Sequence, residues 1–179
     1  MSTIDLQPTL SDHSVLLRPL REDDFEALHQ AASDPVIWAM HPDSERYRRE
    51  RFHDRFFQGA IESKGALVIL DKPSGEIIGS SRYYKWNAEQ RHISVGYTFI
   101  VPKYWGKGTN GCVKHLMLNH IFQWAEVVWF HVGSDNIRSR RAVDKLGAVL
   151  TRDESRELDG TPYTQLFYRL DASRYDSSH

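Results

Sequence analysis

The sequence predicts an α+β fold with a mixed, mainly antiparallel central sheet, and three stretches carry that expectation. Between Ala66 and Val101, runs rich in β-branched and aromatic residues alternate with polar turns, the pattern of strands joined by hairpins. Between Val101 and Val132 a helical period takes over and ends in a buried apolar run, which makes a strand, helix, strand crossover. Near the end, Asp159-Gly160 divides two strand-like runs, a strong hairpin signal.

The 179 residues, 40% of them apolar, match one domain with its own core, taken as residues 1–179. With 23 Lys and Arg against 24 Asp and Glu the chain is almost neutral, which argues against nucleic acid as a partner. No apolar stretch approaches the roughly 20 residues that span a bilayer, so no membrane partner is expected. Cys112 is the single cysteine, and residues 1–30 lack the basic start, apolar run and small-residue site of a secretory signal. A cytoplasmic protein is expected.

Taken in order, Ser14–Arg18 is a short strand closed by Pro19, and Arg21–His29 is a helix with acids in its first turn, where the helix dipole favours them. Asp34-Pro35 ends that helix. A second is expected over Ser44–Gln58, capped by Ser44, with Tyr47, Phe52 and Phe56 facing inward. Its arginines, Arg46, Arg48, Arg49, Arg51 and Arg55, fit a solvated face. Ala66–Leu70 and Glu76–Tyr84 make a hairpin around Asp71–Gly75. In the third strand Ile93, Val95, Tyr97, Phe99 and Val101 share one face, and His92, Ser94, Gly96 and Thr98 the other. A helix then opens at Gly106–Gly111, with Val113, Leu116, Met117 and Ile121 at helical spacing, and leads to the buried strand Val127–Val132. The last helix starts at Asp135-Asn136 and stops at Lys145 and Gly147. Strands Val149–Leu158 and Tyr163–Leu170 close the fold.

The chemistry begins at Trp105-Gly106-Lys107-Gly108-Thr109-Asn110-Gly111. Free main-chain N–H groups at a helix start, unobstructed by side chains and beside a lysine, form a site for a phosphate or diphosphate. Residues 101–145 hold seven cations against three anions, so an anionic ligand is expected. The same glycines would also serve a tight turn alone. A nucleotide P-loop does not fit, because Gly111 is followed by Cys112 and Val113 where Lys and Ser or Thr are needed. The dinucleotide pattern is literally present at Gly106, Gly108 and Gly111, with Asp135 beyond the next strand, which keeps a nicotinamide-dependent oxidoreductase as the rival. Against it, Pro102–Trp105 separates the strand from the first glycine, and the preceding strands are hairpin-linked.

Two segments together resemble the GNAT superfamily of acyl-CoA-dependent N-acetyltransferases. Trp105–Asn110 resembles its pyrophosphate turn, and Asn136-Ile-Arg-Ser139 with Lys145-Leu-Gly147 resembles its second signature. Leu17–Asp24 is similar to the opening of the branch containing ribosomal-protein N-terminal acetyltransferases of RimJ and RimL type. The resemblance implies that main-chain N–H groups from Gly106 to Gly111 hold the diphosphate of acetyl-CoA, with no metal. It implies that Phe99, Ile100 and Val101 meet the pantetheine arm through their backbone, and that Asn136 and Ser139 line the thioester end. Lys107 and Arg141 would meet phosphate oxygens. Trp105 and Asn110 replace the family's usual Gln or Arg and Gly or Ala; Asn110 fits as a cap for the helix start. The acceptor implied is a primary amine, either a protein N-terminus or a small molecule, and the branch often forms homodimers.

Acetyl transfer needs a neutral amine, a polarised carbonyl and a proton for the leaving thiolate. Many members of the family use a carboxylate on the strand before the turn and a tyrosine on the later helix; here Ser94 and Val143 stand there. The substitutes are His131 and His92 as bases, with Ser139 as donor to sulfur, since imidazole titrates near neutral pH. His131, flanked by Phe130 and Val132, also fits a packed core, and a catalytically degenerate CoA-binding module stays in view. Cys112 reads as a small packed residue. Acceptor contacts are expected from Trp38–His41 and Tyr83–Trp86.

Overall fold

Strands consecutive in sequence usually lie side by side, and eight strands do so along most of one mixed sheet. The computed structural model describes residues 3–175, so the ends of the expected 1–179 span lie outside the described residues. The strands are β1 (Leu10–Ser11), β2 (Val15–Pro19), β3 (Ala66–Asp71), β4 (Ile77–Asn87), β5 (His92–Ile100), β6 (Val127–Gly133), β7 (Val149–Leu158) and β8 (Thr161–Asp171). Their order is β1-β2-β3-β4-β5-β6-β8-β7, antiparallel throughout except between β5 and β6. That arrangement is the α+β class expected and excludes a doubly wound dinucleotide fold.

Four helices cover the sheet: α1 (Phe25–Ala32), α2 (residues 49–63), α3 (Thr109–Ile121) and α4 (Ile137–Lys145). Each face of the sheet has its own core. Leu17, Leu67, Ile69, Ile93 and Val95 pack against Val113, Met117 and Ile121 of α3. Ala66 and Val68, alternating with Leu67 and Ile69 along β3, meet Leu28 of α1 and Phe52, Phe56 and Phe57 of α2 on the other face. Arg18 of β2 grips Asp24 through two hydrogen bonds of 2.8 and 2.9 Å, and Asp24 also accepts from the Arg21 N–H, which fixes where α1 leaves the sheet.

Three expectations change. Ser44 does not cap α2: residues 41–48 form turns, the helix begins at Arg49, and its middle, His53–Phe57, widens into a π turn that buries Phe56 and Phe57 side by side. The arginines around α2 form a solvated face only in part: Arg48, Arg49 and Arg55 are exposed, Arg46 and Arg51 are largely covered, and each meets a carboxylate. Arg46 and Arg51 hold Asp43, Arg48 pairs with Glu45, Arg49 with Glu26, and Arg51 and Arg55 both reach Asp159 at the β7–β8 tip. Nor does one face of β5 run unbroken to Val101. Ser80 opposes Phe99 while Arg82 opposes Gly96, so one extra residue bulges from β5, with Tyr97 at φ 51°. Beyond it Phe99 enters the α1–α2 core, while Ile100 stays with α3.

Candidate active site

A cleft opens because β5 and β6 pair only from His92–Ser94 to Val127–Trp129 and then part. The gap leads into a cavity of about 1080 Å³. At one mouth lies the glycine turn. Gly106 and Gly108 have φ of 73° and 80°, which an L side chain rarely adopts, and no atom stands within 4 Å of where a Cβ at Gly106, Gly108 or Gly111 would be. Gly108 precedes α3, whose first helical bond runs from the Cys112 N–H to the Gly108 carbonyl. The N–H groups before that bond are therefore free of helical partners and belong to residues lining the cavity.

Around this mouth the sequence-predicted residues divide. Trp105, Gly106, Gly108, Thr109, Asn110, Gly111, Asn136, Ser139 and Arg141 line the cavity; Lys107 is exposed and outside its lining. Trp105 donates its indole N–H to the Ile100 carbonyl at 2.8 Å and carries the Arg138 guanidinium 3.8 Å over its ring, so it anchors the loop after β5. Asn110 does not cap α3; its side-chain oxygen meets Lys114 instead, at 3.4 Å. Asn136 does cap α4, accepting the Ser139 N–H at 3.3 Å. Of the three residues expected to present backbone to the cofactor, Phe99 and Ile100 line the cavity and Val101 does not. The Phe99 carbonyl faces Gly79, the Val101 N–H donates to the Ile78 carbonyl on β4, and the Ile100 carbonyl accepts from Trp105.

At the vertex, two residues singled out separately in the sequence come together: Ser94 Oγ lies 3.4 Å from His131 Nε2. His131 packs between Tyr84 and Phe167, at ring distances of 5.7 and 4.7 Å, and lines the cavity. Burial, helped by Lys85, Arg152 and Arg156, lowers its imidazole to about 4, so it is neutral at physiological pH. Burial likewise holds the Tyr84 phenol far above its ordinary range, leaving an uncharged hydroxyl. His92 points elsewhere, accepting the Trp129 indole N–H at 3.1 Å, and is not a base for this site. Val143 is buried, as a helix core residue should be. Cys112 packs half-buried against the α3 core.

Sequence reasoning missed Lys114. It is 5% exposed, donates to Thr98 Oγ1 at 2.9 Å, and burial lowers its ammonium to about 7. A lysine among the apolar positions of α3 was the available signal.

Residues 14–149 match the acetyltransferase (GNAT) domain family. The chain belongs to that family. Among solved structures, a GCN5-related N-acetyltransferase from Brucella melitensis is 15% identical, with a TM-score of 0.80 over 93% of this chain and 80% of that one. Spermidine N-acetyltransferase from Vibrio cholerae, in complex with CoA and spermine, is 16% identical (TM-score 0.72; 92% and 99% covered). Mycobacterium smegmatis RimJ, in complex with CoA-disulfide, is 18% identical (TM-score 0.75; 97% and 91% covered). At such identities the likeness is one of GNAT fold.

Proposed function

We propose that this GNAT protein transfers an acetyl group from acetyl-CoA to a primary amine, directly within a ternary complex. The observation carrying this reading is the positive-φ glycine turn, which aims free N–H groups into a cleft split through the sheet. The cleft suits a polyanionic cofactor: Arg138, Arg141 and Lys145 line it, and no carboxylate does among the described residues. Lys114 adds a buried donor beneath the turn.

In the reaction the amine's lone pair attacks the thioester carbonyl, the C–N bond forms, and the C–S bond breaks with its electron pair on sulfur. The proton lost by nitrogen ends on that sulfur. Neutral His131, steadied by Ser94, accepts the N–H of the amine, and the Ser139 hydroxyl donates towards the sulfur. A group titrating near 4 holds a proton only briefly, so most of the acceleration comes from placing the amine against the carbonyl.

The test is thermal unfolding with CoA or NAD, followed by amine-dependent release of CoA thiol. CoA at about 100 times its Kd should raise Tm by roughly 5–10 °C, and NAD should not. A shift with NAD alone would refute the reading. CoA binding without transfer to any amine would favour a CoA-binding module, for which Val143 in place of a tyrosine speaks.

A further inference from the structure

The cofactor's phosphates account for the basic residues at the glycine turn, but not for those at the opposite mouth. There the wall is made by residues 38–46, the end of β4 and the β7–β8 hairpin, and Arg46, Lys85 and Arg156 line the cavity. Asp43 and Glu154, the acids paired with Arg46 and Arg156, lie outside the lining, each held between two arginines: Arg46 and Arg51, and Arg152 and Arg156. Lys85 has no hydrogen bond or salt bridge among the described residues, and its φ of 57° sets it at an irregular turn of β4 facing the cavity. Beneath Tyr97, Arg82 also lacks an acid partner, and its Nε is buried without an acceptor. His41 and His131, the imidazoles lining this end, are both held neutral by burial, at about 3 and about 4.

A cationic acceptor such as a polyamine would thus meet like charge and no carboxylate, whereas an anionic group would meet Lys85 unengaged. We propose that the acceptor is a small amine carrying a carboxylate or phosphate close to its amino group, with Lys85 and Arg156 holding that anion beside His131. This rests on the acetyltransferase reading and names its substrate class. The hairpin tip is tied to α2 through Asp159, and Leu158 beside it lines the cavity.

The experiment compares matched amines with acetyl-CoA: O-phosphoethanolamine against ethanolamine, β-alanine against β-alaninamide, and spermidine. The anionic member of at least one pair should show the higher kcat/KM, by roughly 10- to 100-fold, the worth of a charge-assisted hydrogen bond or two. Lys85→Gln and Arg156→Gln should each pull that ratio towards one. Spermidine or the uncharged partners reacting best, or a preference that survives both substitutions, would overturn the proposal. Calorimetric titration of the same pairs into CoA-saturated protein separates the two readings. Tighter binding of the anionic member without turnover supports the anion site while sinking acetyl transfer, and equal binding sinks the anion site alone.

Discussion

The two mouths of the cleft are built from different materials. At the end proposed for the cofactor the polar groups are main-chain N–H donors, set by the backbone of Gly106 and Gly108 and by the start of α3. At the end proposed for the acceptor they are side chains, brought together from β4, β7 and the loop before α2. A main-chain site depends on backbone angles and tolerates side-chain change outside its glycines. A side-chain site depends on tertiary pairing and can be retuned one residue at a time.

The sharpest way to break this contrast is Gly108→Val. At φ 80° a β-branched residue strains the turn by about 1–2 kcal/mol and displaces its N–H groups. CoA affinity by calorimetry should fall by about 100-fold or more, with the folded spectrum kept. Unchanged affinity would mean that the turn is only a turn.

His131→Ala tests the vertex between the two mouths. The expected result is a kcat lower by about 100-fold with CoA affinity retained. Because the wild-type imidazole sits at about 4, a rate limb near pH 6.5 that vanishes in this variant would contradict its neutral state. The same depression has a stability consequence. The unfolded chain takes up this proton near pH 6.5 and the folded one only near 4, so stability is lost as pH falls through that window.

The smallest effect comes from Lys114→Met. Its ammonium titrates at about 7 when folded and near 10.5 when unfolded, so the unfolded state binds the extra proton between those values. Wild-type stability should therefore rise with pH across that window, by at most about 1.4 kcal/mol per unit, and the variant should lose this slope. Urea unfolding at pH 7, 8 and 9 measures it.

Much of the cofactor end was legible because its information is local. Glycine spacing and the starts of α3 and α4 each lie within a few residues, and all three stand where the sequence put them. The acceptor end was not, because its partners are remote in the chain. Arg51 and Arg55 find Asp159 more than 100 residues away, and no local pattern distinguishes that tie from a solvated face. The π turn in α2 hid for another reason, since Phe52, Phe56 and Phe57 are all apolar and fit an ordinary helix. Most deceptive was β5, whose sequence alternates perfectly through Tyr97 although its backbone does not.

That single surplus residue has a wider meaning for the architecture. Press that residue back into the ladder, so that β5 pairs one for one with β4, and every strand could still form, yet the aromatic ring of Phe99 would be driven into the layer beneath α3. Thr98 would swing away at the same moment and abandon Lys114. One strand serves two interiors because its pleat changes phase midway, at the place where the sheet divides.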